Sequence, residues 1–343
     1  MTDIIIGTSK LGWILKTYKL QKILSVIDHQ LKNNQDIHLS LSYGYSLHYL
    51  KKCKNLDKSK SSFYIKASFN NVQDFLVEIF YVCKIIGESK MINIQINEFF
   101  EIKNIDKLNK AIDMIKLNLN LKNIYLTVLP HNYKIFINNK KTTKFNYAIH
   151  YSLIENHIND EFFIYCKKNK KKILALRALG GGINNFKYND FTNDSISFTK
   201  SDLMNYNHML SKNNISQIEA RAFFVLSNDL LEKIVISTSC IDNLKKLIKI
   251  NNSNISKFNI KILKKLSKHY FQGKMNKNYF LNDKNLINKM YGKTYKETYL
   301  SLKKRGLITN QYLLKCIIFS IIYMGDFILH KLKIKFISLK LFN

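Results

Sequence analysis

The residue types able to bind metal or form crosslinks are spaced against both uses. Cys53, Cys83, Cys166, Cys240 and Cys316 lie far apart, with no CxxC pair and no Cys/His cluster at zinc-ligand spacing. Five scattered thiols predict reduced side chains in a cytoplasmic compartment, no disulfide framework and no metal site. The GxGxxG fingerprint, whose glycines let a strand-to-helix turn approach a dinucleotide pyrophosphate, is absent after the first strand candidate, which argues against a Rossmann site. A formal net charge of +31 is what would attract a polyanion such as nucleic acid, or an anionic membrane surface. Yet only Arg177, Arg221 and Arg305 are arginines among 55 basic residues. Lysine lacks the planar fork that grips phosphate and guanine bidentately. The expectation is therefore a Lys-rich solvated face and no specific nucleic-acid partner.

The elements that must position any chemistry follow from periodicity. Hydrophobic residues make up 46% of the 343-residue chain and aromatics 13%, enough to bury a sizeable core. Short apolar, β-branched runs occur at 3–7, 37–42, 63–67, 91–97, 123–129, 145–150, 172–177 and 233–237. Between them lie segments with apolar residues three and four apart, such as Leu76, Ile79, Phe80 and Cys83, or Leu108, Ile112 and Ile115. Strand and helix alternating eight times predict an α/β protein, a (β/α)8 TIM barrel, with an open doubly wound sheet as the alternative.

The barrel is expected over residues 1–256 and a basic helical extension over 257–343. The extension carries 19 Lys/Arg against 3 Asp/Glu and has helical patterns at 291–307 and 312–334. A polar stretch at 184–214 predicts a long loop with one short helix. The start of the chain reaches Asp3 without an apolar leader, so secretion is not expected. The most apolar window, 312–328, is short for a spanning helix and contains Lys315 and Asp326.

Several segments, in order, resemble landmarks of the aldo-keto reductase family over about residues 3–248. Gly7-Thr8-Ser9-Lys10-Leu11-Gly12 is similar to the family's first strand and loop. Ser42-Tyr43-Gly44-Tyr45-Ser46 resembles its "DTAxxYGxSE" segment, and Tyr64-Ile65-Lys66 the strand that ends in its catalytic lysine. The run AIHYSLIENHINDEFFIYCKKNKKKILALRALGGG, from Ala148 to Gly182, is similar in spacing across two strands and a helix. AFFVLSND and IVISTSCIDNLKKL, within Ile215 to Leu247, resemble the closing helix, strand and phosphate loop.

The resemblance implies hydride transfer from a nicotinamide cofactor, NADP ahead of NAD, to a small carbonyl substrate, with a tyrosine supplying the proton. It places that role on Tyr43 and the pKa-lowering ammonium on Lys66. A phenol is a poor acid at neutral pH, and a neighbouring cation makes its phenolate less costly. The family's lysine-holding aspartate falls on His38. Its histidine falls on Glu98 if Asn93 matches the strand aspartate, or on Asn97 without a gap. Alternation groups Glu98 with Ile94 and Ile96, expected to face the barrel interior, so Glu98 is preferred as the group polarising the substrate.

Cofactor contacts are implied at Gly7, Thr8, Arg177, Leu179, Gly180, Gly181, Ser237, Thr238, Ser239 and Asn243, where backbone amides, hydroxyls and a helix N-terminus suit phosphate. The family's Ser-Asn pair for the carboxamide falls on Leu129 and Pro130, and its glutamine on Ala148. The expected function is thus an NAD(P)H-dependent oxidoreductase. The alternative is a catalytically degenerate barrel acting as a binding or scaffold protein, with the C-terminal extension as a protein interface.

Overall fold

The computed structural model describes residues 3–9, 11, 17–43, 46–97, 101–130, 132–153, 156, 158–179, 200–238, 240–251 and 257–267. Eight strands follow one another in sequence order around a closed barrel, and the paired strands run parallel. The expected barrel is therefore the observed one. The chain divides into two packing units, one built on Ile6–Leu126 and the other on the stretch from Thr127 through the helix at Lys257–Leu266, with the first residues of the first strand.

The first unit holds the end of β1 (Asp3–Gly7), α1 (Thr17–Lys32), β2 (Ile37–Leu39), α2 (Ser46–Leu50), β3 (Phe63–Ala67), α3 (Val72–Ile86), β4 (Ile92–Ile96), α4 (Ile105–Asn118) and most of β5 (Leu121–Val128). In α3, Phe75, Leu76, Ile79, Val82, Cys83 and Ile86 are buried at the three-and-four spacing of a helix face. Asn71 starts that helix by accepting from the Asp74 amide, and Gly87 ends it at φ 103°, a conformation that suits glycine. β2 is shorter than its apolar run. Ser40 and Ser42 close a turn in which the Ser40 hydroxyl accepts from the Ser42 amide, replacing the ladder with a local bond.

Register pairs His38 with Tyr64, Tyr64 with Asn93, and Lys66 with Gln95. The His38 and Gln95 side chains nevertheless meet across the intervening β3, with Nε2 2.7 Å from Oε1. Side chains two strands apart converge only on the concave face of a curved sheet, so that face carries His38, Tyr64, Lys66, Asn93 and Gln95. Ile94 and Ile96 lie on the other face, towards the helices. This reverses the expectation that grouped them with the interior. Both faces of a parallel strand are buried, so apolar character alone does not distinguish them.

The second unit holds α5 (Tyr133–Ile137), β6 (Asn146–His150), α6 (Asp160–Lys168), β7 (Ile173–Leu176), α7 (Lys200–Lys212), α8 (Gln217–Leu226), β8 (Leu231–Ile236), α9 (Ile241–Asn251) and α10 (Lys257–Leu266). Tyr147 meets Phe162 edge-on at 5.4 Å, and Tyr151 stacks on Phe224 at 5.3 Å, tying β6 to α6 and the end of β6 to α8. α10 packs on α8, and Ser267 just beyond it donates to the Leu153 carbonyl at 2.7 Å. The helix expected within 184–214 is α7. Residues 180–199 lie outside the described residues, as do the helical patterns at 291–307 and 312–334. Among the described residues no helix is long and apolar enough to cross a membrane.

α8 begins on a capping box: Ser216 Oγ accepts from the Glu219 amide, and Glu219 Oε2 accepts from the Ser216 amide at 2.9 Å. Ser216→Ala removes one half of that exchange. It is expected to lower stability by about 1 kcal/mol in urea unfolding. An unchanged midpoint and slope would show that the box contributes nothing here.

Candidate active site

The described residues among those singled out in the sequence lie at or beyond the carboxyl ends of strands, the end at which (β/α)8 barrels place their chemistry. In the first unit these are Gly7 at the end of β1 and Thr8 just after it, His38 and Tyr43 at and after β2, and Lys66 near the end of β3. The Thr8 amide donates to the His38 carbonyl at 2.9 Å, joining the first two strand ends. The Ser40 hydroxyl donates to the Lys66 carbonyl at 2.8 Å, joining the turn after β2 to β3. Tyr43 is held by a turn in which its amide donates to the Ser40 carbonyl at 3.2 Å.

His38 is the hub. Its ring lies 6.1 Å from the Tyr43 ring, centroid to centroid. Burial drives its pKa from the usual 6.5 down to about 4, with help from the positive charge of Lys66 and against the hydrogen bond it donates to Gln95. Tyr43 and Lys66 therefore share the same imidazole as a neighbour, which is neutral at physiological pH. With the Gln95 carboxamide oxygen facing Nε2, the ring proton belongs on Nε2, and Nδ1 is left as a buried acceptor with no hydrogen-bond partner. His38 thus offers Lys66 no negative charge.

Sequence reasoning did not single out Gln95, Ser40, Ser42 or Glu78. Gln95 is fully buried, and its signal was a polar residue inside the run INIQI. Asn97 continues the concave-face parity of Gln95 and donates through Nδ2 to the Ser68 hydroxyl at 3.3 Å. Glu98 lies outside the described residues. Glu78, on α3, accepts from the Ser68 amide at 3.4 Å. Its burial pushes the carboxyl pKa up to about 7, opposed by that hydrogen bond and by Lys66.

In the second unit, Arg177 and Leu179 follow β7. Arg177 is exposed and adopts φ 55°, a left-handed conformation uncommon for a non-glycine residue. The Leu179 carbonyl accepts from Arg221 Nη1 at 3.3 Å; Arg221 is buried in α8 and was not anticipated as part of this loop. After β8, Ser237 is half-buried and Thr238 buried. Thr238 Oγ1 accepts from the Cys240 amide at 3.2 Å, shaping the entry to α9, whose first turn carries Asn243. Gly180, Gly181 and Ser239 lie outside the described residues. Ala148, at the position of the family's glutamine, is fully buried.

The resemblance in sequence implies a nicotinamide cofactor, and one observation in the first unit bears on the fit. Thr8 Oγ1, at the end of β1, is buried without a hydrogen-bond partner. A buried hydroxyl left in that state costs about 1–3 kcal/mol, a cost that a polar ligand atom relieves. Metal chemistry has no comparable support: among the described residues no group of three or more His, Cys, Asp or Glu could hold an ion. Cys53, Cys83 and Cys166 are buried free thiols whose pKa values burial pushes up to about 12, so they are poor nucleophiles. Cys316 lies outside the described residues.

No protein-family model and no curated protein sequence matches this chain. Its structure is similar to that of the holo form of an aldo-keto reductase from Bacillus halodurans, with a TM-score of 0.62 and 13% identity over 78% of this chain and 93% of the other. It is similar to a glycerol dehydrogenase from Gluconobacter oxydans, with a TM-score of 0.62 and 14% identity over 78% and 91%. An aldo/keto reductase from Klebsiella pneumoniae, in complex with NADP and acetate, gives a TM-score of 0.58 and 10% identity over 77% and 90%. The fold of this chain is the (β/α)8 barrel of the aldo-keto reductases.

Proposed function

We propose that this chain is a divergent aldo-keto reductase that reduces a small carbonyl compound in the cytoplasm, using NADPH in preference to NADH. The observation that carries the reading is the convergence of Tyr43 and Lys66 on the buried, neutral His38 at the carboxyl ends of β2 and β3. A phenol flanked by an ammonium in a site of low polarity is a usable acid. Tyr43 holds the proton destined for the substrate oxygen. Lys66 lowers the cost of the phenolate left behind. Asn97, on the concave face beside Ser68, is the residue we assign to polarise that oxygen; the preference for Glu98 rests on its grouping with Ile94 and Ile96, which face the helices.

The cofactor would supply the hydride. In the first unit Gly7 and Thr8 would lie against it, the Thr8 hydroxyl gaining the partner it lacks. The resemblance assigns phosphate contacts to Arg177, Leu179, Gly180, Gly181, Ser237, Thr238, Ser239 and Asn243, and the N-terminus of α9 is of a kind that suits phosphate.

Titration of the chain with NADPH and NADH, followed by the fluorescence of Trp13, its single tryptophan, tests this reading. Saturable quenching, stronger with NADPH, is expected. A flat response to both at millimolar concentration would overturn it and favour a binding or scaffold protein that acts through residues 257–343.

A further inference from the structure

Glu78 is a titratable group, largely withdrawn from water, that the mechanism above leaves unused. Glu78 sits in the second turn of α3, between the buried Val77 and Ile79. A helix that follows a strand in a β/α unit begins at the strand's carboxyl end, so its second turn lies beside that end. The hydrogen bond from the Ser68 amide to Glu78 Oε2 fixes the carboxyl there, two residues beyond Lys66. Ser68 in turn joins the next strand end, because its hydroxyl accepts from Asn97. A carboxyl group brought this far out of water needs a compensating partner.

We infer that Glu78 is a positioning residue for Lys66: held on the Ser68 amide, its carboxylate restrains the lysine ammonium at the carboxyl end of β3. The inference rests on the reductase reading for its catalytic consequence, but the ion pair itself does not. Two groups act on the Glu78 carboxyl besides its burial, both from β3 and the residues just after it: the Ser68 amide and the charge of Lys66. Among the described residues α4, also packed on α3, contributes no charge to it. Of these two neighbours, the neutral imidazole of His38 from β2 and the ionisable carboxyl of Glu78 from α3, the carboxyl is the one that can carry a charge opposite to that of Lys66.

The test uses the full chain, labelled at the glutamate side-chain carboxyl carbon, with the Glu78 resonance identified by its loss in Glu78→Gln. In the wild type Glu78 is expected to titrate near pH 7. In Lys66→Met, where the attraction is gone, its midpoint is expected to rise by about one pH unit or more. An unmoved midpoint would overturn the ion pair.

In parallel, Glu78→Gln is expected to lower kcat for carbonyl reduction about tenfold with little change in KM, and to abolish a limb of the kcat profile near pH 7 that Glu78→Asp retains. A Glu78→Gln enzyme with wild-type kcat and an unaltered pH profile would overturn the positioning role. A wild type that consumes no NADPH with any carbonyl would instead refute the reductase reading, and the resonance titration would still decide whether Glu78 and Lys66 interact.

Discussion

Tyr43→Phe is expected to reduce NADPH-dependent carbonyl reduction about a thousandfold, as measured by the loss of cofactor absorbance in steady-state assays. A positioned general acid contributes roughly 10²–10⁴ in rate. Phenylalanine keeps the ring that lies 6.1 Å from His38 and removes only the hydroxyl. Cofactor quenching and the thermal unfolding midpoint are therefore expected to stay near the wild-type values. Lys66→Met preserves chain length while removing the charge that makes the phenolate accessible, and the same order of loss is expected. A Tyr43→Phe variant that turns over at the wild-type rate would mean that another group delivers the proton.

Acidification is expected to destabilise the wild type by nearly 3 kcal/mol through His38 alone. Its folded-state pKa, about 4, lies below the usual 6.5 because burial opposes the charged ring. A depressed value means that this contribution is whole above about pH 6.5 and is lost as pH falls towards 4. The displacement from 6.5 to about 4 corresponds to about 3.5 kcal/mol in full, taking about 1.4 kcal/mol per pH unit, and most of it is lost by pH 4.5. Urea unfolding at pH 7.5 and pH 4.5 reads the difference. His38→Gln retains an amide able to reach Gln95 but does not titrate, so its stability is expected to fall by nearly 3 kcal/mol less over the same interval. Equal losses in the two proteins would show that the imidazole is not held neutral.

These two predictions draw on different sources of information. Tyr43 and Lys66 were singled out through the resemblance of Ser42–Ser46 and Tyr64–Lys66 to aldo-keto reductase segments, and the strand runs set them at the ends of β2 and β3, where a barrel opens its mouth. The state of His38 was not legible. Its neutrality depends on Gln95, 57 residues away in the chain, and on the depth at which the two meet. Glu78 was equally silent, an acid inside the apolar stretch VQDFLVEIFYVCKII that a helical pattern treats as an interruption. Only the packing of α3 beside β3 shows that it lies at the Ser68 amide.

By itself the sequence determined the alternation of eight strands with helices, since periods of two and of three to four are local properties of side-chain direction. It also determined which strand ends carry phenol, amine and imidazole. The tertiary structure decided which face of each strand turns inward. In β4 that face is the one with Asn93 and Gln95, not Ile94 and Ile96, because helices bury one side of a parallel strand as thoroughly as the barrel buries the other. Ionisation was decided there as well. The low pKa of His38 and the high pKa of Glu78 arise from burial, which the Lys66 charge reinforces at His38 and opposes at Glu78, and both depend on distances that the folded chain sets.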